Sequence, residues 1–547
     1  MLLGQLLPHV FRPRQTHTQM LAQYRSNTNG IGTTIQQMPR ILARDVLESI
    51  NLGSEQGSND NPDFFVASTA WSELIHDQAD LILGRKGSGK TKLFRQLQKT
   101  THTIMRGATG GTSHIETTVV PLISSHLDDE FKNLLQVAGD DEELMKTGWL
   151  LQIAGLASVE LVRSPIEHKN STAKDTETLK QLKNLLKEQW DQGKFRQFIG
   201  TKNDELKKNL WRVVLTKLSR VTSVRFRPAG EIGQSGEIRI VPDIYFANSE
   251  VEDTDLKTTA LNMIRSVNEV LAERQERFWI VVDSLDELLY GIQDQHSNAA
   301  VRSLLRAIID IRKTSTTTTC LSLKVFARDD VIERMTTDAP FPGLTSIQTA
   351  RITWTKREIA QMIKERLYSS EIARDFYSTF QIDNKPEFFV SQVFTGEHGR
   401  DFINQLIKET SDGANSPSPR NIIGCLKRAL DISKQEGYLG NEYSIMTRLV
   451  SESHFTLALN QTSLVRLDDT IKAEYPNLQQ LIDRLRGAPR SYTSVQRMAT
   501  QLDLGIKELE ELVWWAVLAG LAERQGQRIN VVNVYRRALQ STVAATD

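Results

Sequence analysis

The sequence predicts an α/β fold: a parallel sheet flanked by helices, broken by a basic helical and β-hairpin insertion, then a helical lid and a C-terminal winged-helix domain. Three observations predict it. Continuous apolar runs, LIL near residue 82, FWIVV at 278–282 and LSLKVFA at 321–327, alternate with helical patterns, as strands buried on both faces do. The first run leads directly into a glycine-rich turn and a helix start. The pattern changes again toward the C-terminus, where three helical stretches precede an alternating segment.

In chain order, residues 1–47 are polar with few periodic apolar positions and read as a flexible arm. Residues 50–62, NLGSEQGSNDNPD, are a loop by composition. Trp71–His76 reads as a short helix, Ala79–Leu83 as a buried strand, Thr91–Thr100 as a helix and 117–124 as a strand. These open a core domain expected over 48–350, with an insertion at about 160–245. Within the insertion, 161–230 carries 16 Lys/Arg against 7 Asp/Glu, and RFRPAGEIGQSGEIRIV (225–241) alternates around glycine turns like a β-hairpin. The core resumes with a helix over 256–276, the strand 278–282, a helix over Ala299–Arg312 and the strand 321–327. A helical lid is expected over 351–445, opening with the helix Lys356–Leu367. The winged-helix domain, 446–547, has helices at Leu478–Leu485, Thr493–Leu502 and Gly505–Ala522, then a strand RINVVNVY at 528–535.

Composition narrows the function. The 547 residues hold 67 Lys+Arg and 67 Asp+Glu, so a uniformly basic nucleic-acid coat is excluded. Two cysteines, Cys320 and Cys425, make neither a disulfide framework nor a zinc cluster and suit a reducing compartment. The longest apolar stretches, Gly148–Val162 and Leu512–Ala522, fall short of the roughly 20 residues that span a bilayer. The apolar start is broken by Gln5, Pro8 and His9 and followed by basic residues, the reverse of a secretion signal. The expectation is a cytoplasmic protein with no membrane contact.

Residues 84–91, GRKGSGKT, match G-x-x-x-x-G-K-[ST], the P-loop or Walker A pattern, between a strand end and a helix start. Glycines let backbone N–H groups surround phosphate oxygens, and the helix offers the positive end of its dipole to the same anion. The expected nucleotide-binding set is Gly84, Arg85, Lys86, Gly87, Ser88, Gly89, Lys90 and Thr91, with Lys92 after it. Lys90 is placed for the β- and γ-phosphates and Thr91 for Mg²⁺. The charges of Arg85 and Lys86 are expected to be solvated. ATP and Mg²⁺ are the implied ligands.

Such a site also needs a carboxylate at a neighbouring strand tip. Asp283 ends FWIVV and is the Mg²⁺ candidate, the Walker B position. Asp286 and Glu287, three and four residues on, are candidates to orient the attacking water, and the sequence leaves open which does so; acids here also suit a helix start. Arg328 ends the strand 321–327 and is read as a γ-phosphate sensor, the alternative being a surface pair with Asp329 or Asp330. Arg420, in SPRNII, follows a proline suited to a helix start and is read as a lid sensor, the alternative being a solvated first-turn charge.

Asp283 to Leu288, DSLDEL, resembles the D-G-L-D-E element of NACHT and other STAND ATPases and departs from the adjacent Asp-Glu pair of most AAA+ proteins. With INLGSEQ, FFVASTAWSEL, LILGRKGSGKTKLFRQL, LKVFARDDV, ITWTKREIAQMIKERL and SPRNIIGCL, the chain resembles bacterial P-loop ATPases of the KAP and STAND lineages over roughly 48–435. The resemblance implies Mg²⁺–ATP binding, cycling between conformations or oligomers, and service in antiphage defence or DNA transactions. It makes a homo-oligomer and a separate effector protein the expected partners, since no nuclease or other effector constellation is visible.

Nucleic acid is a candidate partner through the basic insertion 161–230, where Trp190, Phe195, Phe198 and Trp211 interleave with cations, although helix-on-helix packing explains the aromatics equally. The third helix of the winged-helix domain opens with Glu508, Glu510 and Glu511, which would meet DNA phosphates with like charge, so a protein contact is favoured there. The main reading is an ATP-hydrolysing switch. The alternative is a nucleic-acid-binding regulator or scaffold in which ATP is mainly structural.

Overall fold

The computed structural model describes residues 43–53, 64–100, 116–122, 138, 141–163, 225–232, 238–245, 253–285, 294–314, 320–379, 385–395, 402–413, 416–436 and 449–540. Most of the basic insertion therefore lies outside the described residues, as do Asp286 and Glu287.

In chain order the first elements are α1 (Ala43–Ser49), α2 (Thr69–Ile75), β1 (Leu81–Gly84), α3 (Lys90–Thr100), β2 (Glu116–Leu122) and α4 (Glu142–Arg163). A two-stranded antiparallel hairpin follows, β3 (Arg225–Ile232) with β4 (Ile238–Tyr245). Then come α5 (Asp253–Arg274), β5 (Glu276–Val282), α6 (Asp294–Thr314), β6 (Leu321–Arg328), α7 (Asp329–Asp338) and β7 (Thr349–Arg351). Five strands form one parallel sheet in the order β2-β5-β6-β1-β7.

The apolar runs make this sheet because alternate residues are buried on opposite faces. Phe278, Ile280 and Val282 join a core with α4, α5 and α6, whereas Trp279 and Val281 join a second core with Trp71 and Leu74 of α2 and Phe94 of α3. Residues 43–47, expected to belong to the arm, instead lie in α1, where Val46 and Leu47 are buried. The apolar stretch near Gly148 is the middle of α4, fixed by Trp149, whose indole N–H donates to the Ala300 carbonyl at 3.1 Å. No helix among the described residues is long and apolar enough to cross a membrane.

One charge interrupts the sheet. Lys324, in the middle of β6, is fully buried. Its ammonium reaches Asp77, Asp80 at 3.1 Å and the Ala79 carbonyl at 2.8 Å, and it lies 5.1 Å from the centre of the Trp279 ring. Arg312 pairs with the same Asp80, and Arg277 lies 3.7 Å from Asp77. Removing one member of a buried network leaves its partners charged without compensation. Lys324→Met is expected to cost about 3 kcal/mol, read from urea unfolding.

The lid region holds α8 (Lys356–Leu367), α9 (Glu371–Thr379), α10 (Pro386–Thr395), α11 (Phe402–Thr410) and α12 (Pro419–Gln435). Helix α8 has the boundaries its sequence predicts, because Thr355 and Glu358 cap it reciprocally. The C-terminal lobe begins with α13 (Glu452–Arg466), which runs on through a π-helical turn, Leu467–Lys472. It continues with α14 (Gln479–Leu485), β8 (Ser491–Tyr492), α15 (Val495–Leu502), α16 (Ile506–Leu518), β9 (Ala522–Gln525), β10 (Arg528–Val531) and α17 (Asn533–Gln540). The three strands form an antiparallel sheet, β8-β10-β9. The strand expected over 528–535 stops at Val531, and residues 533–540 are helical, with Val534, Tyr535, Ala538 and Leu539 buried. Trp514 and Trp515 are both half-buried and pack edge to face, their ring centres 4.8 Å apart.

Candidate functional site

Neighbouring strands send their connections in opposite directions at the centre of the sheet. Strand β1 leads toward β2 past β6 and β5, and β6 leads to β7 past β1. In open parallel sheets a ligand crevice lies beyond the carboxyl ends at such a point. Gly84 is registered opposite Arg328 here, and Val282, just before Asp283, is opposite Val325.

A cleft of about 400 Å³ occupies that position. Lys86, Gly87, Ser88, Gly89, Lys90, Thr91 and Lys92 line it along the loop and the start of α3. Asp283, Arg328 and Arg420 line its other sides. The structure thus brings together Lys86–Lys92 of the loop region, the strand carboxylate and both candidate sensor arginines, whereas Gly84 and Arg85 do not line the cleft.

The loop takes the shape its glycines permit. Gly87 has φ +82° and Gly89 φ +104°, conformations that side chains disfavour. A Cβ on Gly87 would come within 2.9 Å of the Arg420 Cβ, so the start of α12 rests on the loop. Lys90 Nζ lies across the turn, donating to the carbonyls of Gly84 (2.5 Å) and Arg85 (3.0 Å). The Trp354 indole N–H donates to the Ser88 carbonyl at 2.8 Å. The Ser88 hydroxyl is buried with no hydrogen-bond partner among the described residues, as is that of Ser418 beside Gly87. A buried hydroxyl without a partner loses about 1–3 kcal/mol, which a bound anion would return.

Asp283 is 4% exposed, and Ser284 after it has φ +57°. A left-handed backbone is one that residues other than glycine adopt at a cost, so the chain turns sharply at the strand tip.

Arg328 binds Asp330 through two contacts, Nε to Oδ1 at 3.0 Å and Nη2 to Oδ2 at 2.8 Å. The pair with Asp330 therefore forms but is largely enclosed, with 13% of the Arg328 side chain exposed, and the Arg328 Nη2 also donates to Glu474 Oε2 at 2.8 Å. Burial alone would lower its pKa, but Asp330 and Glu474 raise it well above the ordinary value and fix the charge.

Glu474 is the residue that sequence reasoning missed. It lies between the π-turn and α14, lines the cleft, and pairs with Lys86 as well as Arg328. The adjacent Tyr475 hydroxyl donates to Asp330 Oδ2 at 2.6 Å. The expectation of a solvated Lys86 is therefore corrected: burial pushes its pKa down, and Glu474 only partly restores it. Arg85 is likewise not a free loop charge. Its guanidinium sits against the chain at Gly413 and Gly520, where added Cβ atoms would approach it to 3.1 and 3.2 Å. Arg85 lines no part of the large cleft. It lines a small neighbouring cavity of about 40 Å³ with Asp329, Asp412 and Arg466. No signal in the DDTIKAEYPN segment reveals these contacts, because their partners are distant in sequence, in the phosphate loop and at the junction of β6 and α7.

Asp412 shows what that enclosure does. Burial pushes its carboxyl up to about 6, with Arg85 and Arg466 pulling the other way. A carboxyl whose folded pKa exceeds its unfolded value stabilises the fold fully below the unfolded pKa, and that contribution is lost as pH rises through about 6. Asp412→Asn is therefore expected to be more stable than the wild type near pH 8 by about 2 kcal/mol, and not so near pH 4, by urea midpoints.

Apolar side chains form the remaining wall: Phe64, Phe65, Val66, Ile352 and Met362. No protein-family model matches this chain, and no curated protein matches it.

Proposed function

We propose that the chain is a Mg²⁺-dependent ATPase of the P-loop class, a STAND- or KAP-like switch whose nucleotide state is read by the lid and by a winged-helix C-terminal lobe. The observation that carries the reading is the convergence on one cleft of the phosphate loop, Asp283, Arg328 and Arg420. The backbone of 84–90 would cradle the β- and γ-phosphates, and Lys90 would turn from the loop carbonyls to them. The Thr91 hydroxyl and the Asp283 carboxylate would hold Mg²⁺, which would supply charge neutralisation to the phosphates. Few protein ligands suit that ion, because it keeps waters and phosphate oxygens. Asp286 or Glu287 would orient the attacking water. The adenine would lie on the wall of Phe64, Phe65 and Met362.

Switching follows from the ion pairs. Arg328 and Lys86 face the cleft and both bind Glu474. Triphosphate and Glu474 would compete for these two cations, so nucleotide state would change the hold on the C-terminal lobe. The lobe would then control self-association or a separate effector, in antiphage defence or a DNA transaction. The winged-helix reading of this lobe is supported by three helices, α14, α15 and α16, beside the three-stranded antiparallel sheet β8-β10-β9.

Mg²⁺-dependent ATP turnover, with and without DNA or RNA, tests the reading on wild type and Glu287→Gln. Turnover lost in the variant and raised by nucleic acid is the expected result. Tight ATP binding without turnover under every condition would instead favour a regulator in which ATP is structural.

A further inference from the structure

We propose a second anion site, for phosphate groups, on the C-terminal lobe where β10 and the start of α17 meet the end of α11. Two adjoining clefts of about 320 and 290 Å³ share Lys408, Asn533 and Arg536 as walls. Arg490, Gln540, Arg537 and Glu409 complete the first, and Arg528 enters the second. None of these residues lines the nucleotide cleft.

The local structure assembles the cations and leaves them charged. Strand β8 pairs with β10 with Ser491 opposite Asn530, which brings Arg490 and Arg528 to one small sheet. Lys408 lies in the last turn of α11, where the helix dipole favours a cation. The Asn533 amide donates to the Lys408 carbonyl at 2.9 Å and joins the end of α11 to the start of α17. Arg536 Nε donates to the Val531 carbonyl at 2.6 Å, Arg528 Nε to the Ser491 hydroxyl at 3.1 Å, and Arg490 to the Gln540 amide oxygen. These neutral partners orient three guanidinium groups without neutralising them. Among the described residues, no carboxylate lies within ion-pair distance of Arg490, Arg528 or Arg536. Three acids share the walls: Glu409, which approaches Arg537 at 3.4 Å, Glu523 and Asp412. Burial and the neighbouring Arg490 push the Arg536 pKa down, and Glu409 and Glu523, which pull the other way, only partly offset them.

A doubly charged, multi-oxygen anion fits this arrangement better than a single carboxylate. Arginine forks match phosphate oxygens in pairs, and four cations converge on a polar hollow. Two clefts with a common wall suit successive phosphates, whether of a nucleic-acid strand or of a free oligophosphate.

The test compares the full chain with the triple variant Arg490→Gln/Arg528→Gln/Arg536→Gln and with the corresponding triple Lys variant. The probes are a labelled double-stranded DNA oligomer, followed by anisotropy over a salt series, and inorganic pyrophosphate, followed by calorimetry. The phosphate loop is the same in all three proteins, so only the difference between them reports on this site. Success or failure here is independent of ATP binding at the loop. The Gln variant is expected to lose about tenfold in affinity for one probe and the Lys variant less than that, because lysine keeps the charge but not the paired fork. If DNA is the ligand, the salt slope falls by about two to three. A loss confined to pyrophosphate identifies a free oligophosphate and supports the site equally. Should the Gln triple variant melt early, the exposed single change Arg490→Gln carries the same comparison with a smaller shift. Unchanged binding of both probes, or competition by a polyglutamate peptide as strong as that by pyrophosphate, would overturn the proposal.

Discussion

Lys90→Ala is expected to reduce Mg²⁺-dependent ATP turnover by about 10²–10³-fold, the usual loss when one preorganised donor to developing transition-state charge is removed. Lys90 Nζ already lies over the phosphate loop, on the carbonyls of Gly84 and Arg85. A short rotation would bring it to phosphate oxygens, so it needs no rearrangement of the backbone. The fold should survive the change, since those two carbonyls can turn to water. A steady-state phosphate-release assay, with thermal melting as the control for folding, reads the effect. Near-normal turnover in the variant would remove the loop from the chemistry.

Glu474→Gln is expected to have the second-largest effect, and it acts on two readouts in opposite directions. The carboxylate serves two cations, Lys86 of the phosphate loop and Arg328 at the end of β6. Glutamine keeps the shape and removes the charge. The grip of the C-terminal lobe on the loop should weaken by about 2 kcal/mol, short of the full buried-pair value because Glu474 retains some exposure. Hydrogen exchange should therefore accelerate over 467–478. ATP affinity should rise by about tenfold, since an anion competing for the same cations is gone. Arg328 stays in place because Asp330 still holds it through two contacts. Slower exchange, or weaker ATP binding, would contradict the competition between Glu474 and the triphosphate.

Much of the sheet is legible in the sequence because it depends on local, continuous burial. FWIVV and LSLKVFA can only be strands covered on both faces, and the cores on either side of Trp279 follow from that. Helix α8 is legible to the residue because Thr355 and Glu358 cap it. Pro419 likewise marks the start of α12. Helix α17 is hidden because the start of RINVVNVY alternates as a strand, and only the burial of Val534, Tyr535, Ala538 and Leu539 reveals its helical period. Lys324 reads as an anomaly in an apolar run, with no hint of Asp77 and Asp80. In the candidate site, the loop and Asp283 announce themselves by spacing. Glu474 does not, since its pairing with Lys86 spans 388 residues and depends on how the C-terminal lobe sits against the loop.

Titration calorimetry of the full chain with ATP reads out whether the cleft over the sheet binds Mg²⁺–ATP. A single saturable site per chain is expected, weakened when Mg²⁺ is chelated and weakened in Lys90→Ala. Absence of ATP binding by the folded wild type, or equal binding by Lys90→Ala, would contradict that expectation.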